Sequence, residues 1–314
     1  MKKFIIFIFF FVSIDFIFAY VPKDSLFLNG GIIRETSADF YLKSIPVDPK
    51  IENIKLKIEQ PINYSILAGL GFVYLGTGVG VHIYQSKAFW DETTRFRFMN
   101  DWNYALWIDK IGHFYATNFL SHLFSAGLEA ANLEFEKTII YGALLGFSFE
   151  FYSEIMDGYG KNYGFSFGDL AADAAGAIYY TTQYYFPVLK NFQPRWSYLP
   201  SEKLLKGQHK GGIIIDDYEG QSYWMSIRVK NLLPESIADY WPSFLMLAIG
   251  KSVRHLDGMG GGTRNIFIAF DFDYETLPLK GPIWGFVKNT LSYFKFPFPG
   301  LRIYPKIKFQ IFSY

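Results

Sequence analysis

Three stretches of the chain set acids, or an acid and an imidazole, one helical turn apart. Asp109 and His113 lie in "WIDKIGHFYATNFLSHLFSAG", Glu150 and Glu154 in "GFSFEFYSEIMDGYG", and Asp169 and Asp173 in "GFSFGDLAADAAGA". Residues four apart share one face of a helix, so each pair projects as a unit. An ionised carboxylate taken out of water needs a partner, a proton or a metal. Carboxylates that converge with an imidazole suit two kinds of chemistry. The first is acid–base catalysis, with Glu154 as general base, His113 as acid or ligand, and Asp109 orienting the imidazole. The second is a divalent metal such as Zn, Mn or Fe, held by His113, Glu150, Glu154 and Asp173. The spacing is neither the Glu-x-x-His of di-iron bundles nor His-Glu-x-x-His.

Each residue also has a plainer role. Asp169 follows Ser166 by three in "SFGD", the layout of a capping box. Asp157 precedes Gly158, where a turn accounts for it. Lys110 neutralises a neighbouring acid, so Lys110, Asp157 and Asp169 read as structural polar residues. His82 and His122 read as packing or interfacial side chains, and Glu134 and Glu136 as the solvated first turn of a helix. A purely structural polar network and a catalytic or metal centre both remain open at this level.

The segments that must position these groups are apolar. "YSILAGLGFVYLGTGVGVHIY" (64–84) carries no formal charge over about 21 residues, enough to span a bilayer or lie deeply buried. Its glycines lack the strand–turn–helix setting of a nucleotide-binding loop. Helical periodicity continues over roughly 104–127, 134–156 and 167–186, with Gly127, Gly158 and Pro187 as stops. Each segment has a narrow polar stripe. The expected fold is therefore mainly α: a four-helix, membrane-associated bundle with a small β-rich C-terminal part.

The ends differ in character. "MKKFIIFIFFFVSIDFIFAY" has the layout of a secretory signal peptide over residues 1–19, followed by an N-terminal extension over 20–60. The bundle then covers 61–190 and a mixed β/α region 191–314. In that region "IIIDDYEGQSYWMSIRV" reads as two short strands, "SFLMLAIGKSV" as a short helix and "RNIFIAFDFDYETL" as a strand. "GPIWGFVKNTLSYF" reads as an interfacial helix and "LRIYPKIKFQIFSY" as strand. Too few strands are evident for an outer-membrane barrel.

Half of the residues are hydrophobic, a fifth are aromatic, and the net charge is +1. Lys and Arg are scattered, which excludes a nucleic-acid partner and a polybasic lipid-binding run. Cysteine is absent, so there is neither a disulfide nor a thiolate metal site.

The run "DKIGH … SEIMDGYG … GFSFGDLAADAAGA" resembles the YfiM-like family of predicted periplasmic lipoproteins of unknown function. More distantly it resembles VanZ-like membrane proteins. The resemblance covers about residues 104–180 and implies an envelope location and a helical fold. It places the family's polar positions on Asp109, Lys110, His113, Glu154, Asp157 and Asp169, and it supplies no reaction. Asp173 stands where related sequences often have Asn, and the lipobox cysteine is missing. The expectation is an exported protein of the bacterial cell envelope, membrane-associated, with the choice of inner or outer membrane open. Its role is structural or partner-binding, with membrane lipid and another envelope protein as partners. The alternative is a membrane-embedded enzyme, metal-dependent in one version, acting on a lipid-linked or cell-wall substrate.

Overall fold

The computed structural model describes residues 61–208, 214–258 and 260–313. The signal-peptide and N-terminal-extension readings lie outside the described residues. Four long helices come first: α1 (Tyr64–Ser86), α2 (Ile108–Ala130), α3 (Phe135–Tyr159) and α4 (Phe167–Tyr185). A two-residue strand, β1 (Phe98–Met99), pairs in parallel with β2 (Phe165–Ser166) across the start of α4. The rest is dominated by a six-stranded antiparallel meander: β3 (Phe192–Tyr198), β4 (Gln221–Ile227), β5 (Leu245–Arg254), β6 (Thr263–Phe272), β7 (Phe298–Tyr304) and β8 (Lys308–Ser313). Helix α5 (Pro282–Leu291) connects β6 to β7.

This overturns the expectation of a mainly α, four-helix membrane-associated bundle. The fold is α+β, and its sheet is a major half of the molecule. Only α2, α3 and α4 pack together closely. Helix α1 starts on an Asn63 cap, whose side-chain oxygen accepts from the Ile66 amide at 3.1 Å. It meets the others at its first turns, where Ile66 and Leu70 pack on Ala130, Phe124 and Leu128, and further on through Tyr74 on Ser148 and His82 on Tyr152. Beyond that, Phe72, Leu75, Val79 and Ile83 are exposed. It is the one helix among the described residues long and apolar enough to cross a membrane.

Small residues bring α2 and α3 together. A Cβ on Gly142 would lie 2.1 Å from Ser125 Oγ and 2.7 Å from its backbone nitrogen, and one on Gly146 would lie 2.8 Å from Ser121 Oγ. Ser125 and Ser121 turn their hydroxyls to the Thr138 and Thr117 carbonyls, so this close seam leaves them satisfied. The contact sets the height of α3 against α2, and with it the position of Glu154 three turns further on.

The C-terminal half departs further from its sequence pattern. The segment expected as a short helix, "SFLMLAIGKSV", forms most of β5. A short apolar run does not separate the two periods. What decides it is the partner strand: the Trp224 ring of β4 occupies the space where a Cβ on Gly250 would stand, 2.2 Å away. Of the two strands read in "IIIDDYEGQSYWMSIRV", residues 214–227 form one, β4, preceded by turns. Helix α2 also runs past Gly127 to Ala130, because Leu70 of α1 packs where a side chain at 127 would go. Sheet and helices share a core of Leu106, Ile108, Tyr115, Tyr223, Val253 and Tyr293.

The glycine seam makes a direct prediction. Gly142→Ala forces α2 and α3 apart and is expected to destabilise the protein by about 1–3 kcal/mol. Chemical denaturation would show it, whereas Gly76→Ala on α1, where the added methyl meets nothing within 4 Å, should have a far smaller effect.

Candidate functional site

The site is assembled from five segments. Helix α2 enters it through an unusual turn: Ala105, Leu106 and Trp107 have φ of 45°, 55° and 76°, three successive non-glycine residues in the left-handed region. Each such residue costs on the order of 1 kcal/mol. The turn is held by burial of Ala105 and Leu106 and by the Lys251 ammonium of β5, which donates to the Leu106 carbonyl at 2.6 Å. It delivers Asp109 and Lys110 into the protein in the first turn of α2.

Lys110 then sits among three carboxylates. Its Nζ lies 2.9 Å from Asp101, 2.7 Å from Asp109 and 2.6 Å from Asp169. Asp109 accepts a further bond from the Tyr218 hydroxyl at 2.6 Å. Burial would raise the Asp109 carboxyl, but His113 and Lys110 outweigh it and hold it below the usual range. Burial likewise opposes charge on Lys110, and Asp109 and Asp169 reverse the effect and push it up.

His113, one turn further on, faces both ways. Its Nδ1–H donates to Asp173 Oδ1 at 3.1 Å, and the Thr117 hydroxyl donates to the same oxygen. Its Nε2 lies 3.9 Å from Asp109, 3.8 Å from Glu154 and 3.7 Å from Asp169, all too long for hydrogen bonds. Burial disfavours the imidazolium, yet Asp173, Asp169 and Asp109 together raise its pKa well above the usual value. Asp173 is wholly buried, and its second oxygen, Oδ2, has no hydrogen-bond partner.

Glu154 is almost fully buried and receives the Ser166 amide on Oε2 at 3.1 Å. Its other oxygen has only the distant His113 nitrogen. Burial is the main reason its pKa rises to about 9. Asp169 moves up for the same reason, which His113 and Lys110 only partly offset. Glu150 is half-buried one turn before Glu154, and burial and Asp173 push it up too. Asp157 accepts from the Trp90 indole at 2.6 Å, with burial raising it to about 6.

The structure therefore brings together Asp109, Lys110, His113, Glu154, Asp169 and Asp173 from α2, α3 and α4. Two sets of three offer ligand atoms within 4.8 Å of one another: Asp109, His113 and Asp169, and His113, Glu154 and Asp173. Glu150 contributes to neither, and Asp157 is turned to Trp90. Ser166 does cap α4, its hydroxyl accepting from the Asp169 amide at 3.1 Å. The Asp169 carboxylate, freed from capping, goes to Lys110. Sequence reasoning missed Asp101 and Tyr218, which reach the site only through the tertiary fold. His82 and His122 stand elsewhere, His82 on the Tyr152 hydroxyl and His122 against Thr290 and Tyr293.

Fold and site thus define an α+β protein with a buried histidine–carboxylate centre between three helices. Residues 98–185, which contain that centre, match the family described as predicted periplasmic lipoprotein (DUF2279). The match spans less than a third of the chain and supports an exported protein of the cell envelope. No curated protein and no solved structure matches.

Two consequences can be measured. Lys110→Met leaves the buried Asp109 and Asp169 and the half-buried Asp101 facing one another and should destabilise by about 3–5 kcal/mol, whereas Lys137→Met, at an exposed pair, should change stability by well under 1 kcal/mol. The folded, chelator-treated protein also holds protons on Glu154, Asp169 and Glu150 that the unfolded chain releases near pH 4.5. Stability must fall as pH rises from about 5 to 9. Asp109, shifted the other way, matters only below the carboxylate range. Thermal unfolding across that window should show the decline, and Glu154→Gln should flatten it.

Proposed function

We propose that this exported envelope protein binds one divalent cation between His113, Glu154 and Asp173, and that the ion pins α2, α3 and α4 together. The observation that carries the reading is an imbalance of buried charge. Asp101, Asp109 and Asp169 surround Lys110, which offers one positive charge. Glu154 and Asp173 have only the His113 imidazole between them, and Asp173 Oδ2 is buried without a partner. Lysine fills one half of the seam; the other half has a ligand set and no resident cation. An imidazole with two carboxylates suits Zn or Mn. Asp109 and Asp169, beside the same imidazole, tune it from outside the ligand set.

The ion would serve a structural or partner-binding protein, consistent with the YfiM-like resemblance. A metal-dependent hydrolase of lipid-linked or cell-wall material is the second reading. It is favoured by one feature: the His113 side chain is 20% exposed, so water reaches the centre from one side. The VanZ-like resemblance adds to that reading and supplies no substrate.

Calorimetric titration of chelator-stripped protein with Zn²⁺ and Mn²⁺ tests the site. One ion per chain and a raised unfolding temperature are expected. Glu154→Gln with Asp173→Asn should abolish both while the circular dichroism spectrum stays native, and Asp157→Asn should leave them intact. Absence of binding by the native chain, or undiminished binding by the double variant, overturns the proposal.

A further inference from the structure

The six-stranded sheet turns a row of apolar side chains outward and buries an ion pair on its inner face. That inner face holds Arg195, Asp271, Ser226 and Ser252 beside the apolar Trp224, Met246 and Phe267. The Arg195 guanidinium pairs with Asp271 at 3.0 Å, both side chains wholly buried, and donates to the Phe272 carbonyl. Lys295 closes over the Trp224 ring on the same side. The other face carries a row of directly paired residues across all six strands: Pro194, Met225, Ile249, Ile268, Leu301 and Phe309. At one end of this face Tyr223 packs on Tyr115 of α2. Past the helix the row is open: Ile249 is 52% exposed, Ile268 45%, Leu301 37% and Phe309 65%. Ile303, Ile307 and Ile311 extend it.

We infer that this open face, from β5 to the β7–β8 hairpin, is a docking surface for a bilayer rich in anionic headgroups. Two observations select that occupant. An outward face of Ile, Leu and Phe over an inner face that holds a buried ion pair is an arrangement suited to a sheet with hydrocarbon as its neighbour. The hairpin side of the face is basic: after Glu275 the chain has no acid, and of its cations Lys280, Lys306 and Lys308 are exposed, while the exposed Asp257 belongs to the β5–β6 loop. Lys306 stands in the turn after Tyr304, and Lys308 starts β8 opposite Arg302, one residue before Phe309, so cations and an aromatic ring edge the apolar row at this end as they do at a membrane interface. A second copy of the chain would bring the same positive charges against one another.

The absence of cysteine makes the test clean. Single labels are placed on the full chain by Phe309→Cys and Ile268→Cys, with Glu202→Cys as a control, and modified with an environment-sensitive fluorophore. Vesicles of phosphatidylethanolamine and phosphatidylglycerol should shift the emission at 309 and 268 to the blue. Lipid-borne nitroxide should quench both labels and leave the one at 202 unchanged. Lys306→Glu with Lys308→Glu should weaken vesicle binding about thirtyfold. Three results would overturn the inference: no vesicle binding; binding in which the labels stay in water, which assigns attachment to α1; or a blue shift without lipid that scales with protein concentration, which assigns the face to a second copy.

Discussion

The interaction on which the rest depends is the neutralisation of buried carboxylates by too few positive charges. Asp101, Asp109, Glu154, Asp169 and Asp173 are brought within reach of two bases, Lys110 and His113. Removing a carboxylate from water is expensive unless its charge is met locally. The helices are therefore not free to slide or rotate. A shift of one turn would move Lys110 past its three partners and leave them facing apolar side chains. The glycines of α3 and α4 serve this constraint: without side chains at 142, 146 and 176 the backbones approach closely enough for short carboxylates to reach across.

The rest of the molecule also bears on the centre. Tyr218, from the turns before β4, donates to Asp109, and Lys251 of β5 holds the carbonyl of Leu106. That second bond fixes the strained left-handed turn from which α2 starts. A helix starting from a relaxed turn would enter at another angle, and Asp109 with Lys110 would be redirected. Strain of this kind persists only where surrounding packing over-determines it. Here the sheet supplies that packing, so the helical centre is a property of both halves of the chain.

This explains what could and could not be read from the sequence. Spacing of four along a helix is local, so Asp109 with His113 and Asp169 with Asp173 were visible as pairs, as was the Ser166 cap. Which pair faces which is set by inter-helix distance, and that is why Glu150 looked equivalent to Glu154. The two sit on one face of α3, yet only Glu154 reaches the seam. Asp101 precedes α2 in an irregular stretch and Tyr218 lies over a hundred residues away, so no periodic signal marked either. The helices themselves were legible because their stripes are long. Helix α1 looked like a fourth bundle member because it is apolar all round, and composition alone does not say which neighbour an apolar helix has.

The sheet was misjudged for a related reason. Sequence patterning assumes that the buried face of a strand is the apolar one. In β6 the buried positions are Asn265, Phe267, Ala269 and Asp271, while Ile268 and Phe270 look outward. In β5 the inward positions are mixed: Met246 is large and wholly buried, Ala248 is closed off and Gly250 lies under the Trp224 ring. Alternation is present in both strands with its polarity exchanged, so it no longer resembles a soluble strand. Arg195 and Asp271 make the exchange hard to attribute to chance. Their pairing is reached only when a sheet closes over them, and an apolar filling of the same volume would do as well or better for stability alone. Sealing an ion pair within and turning isoleucine and phenylalanine outward is what the proposed bilayer contact requires of this sheet.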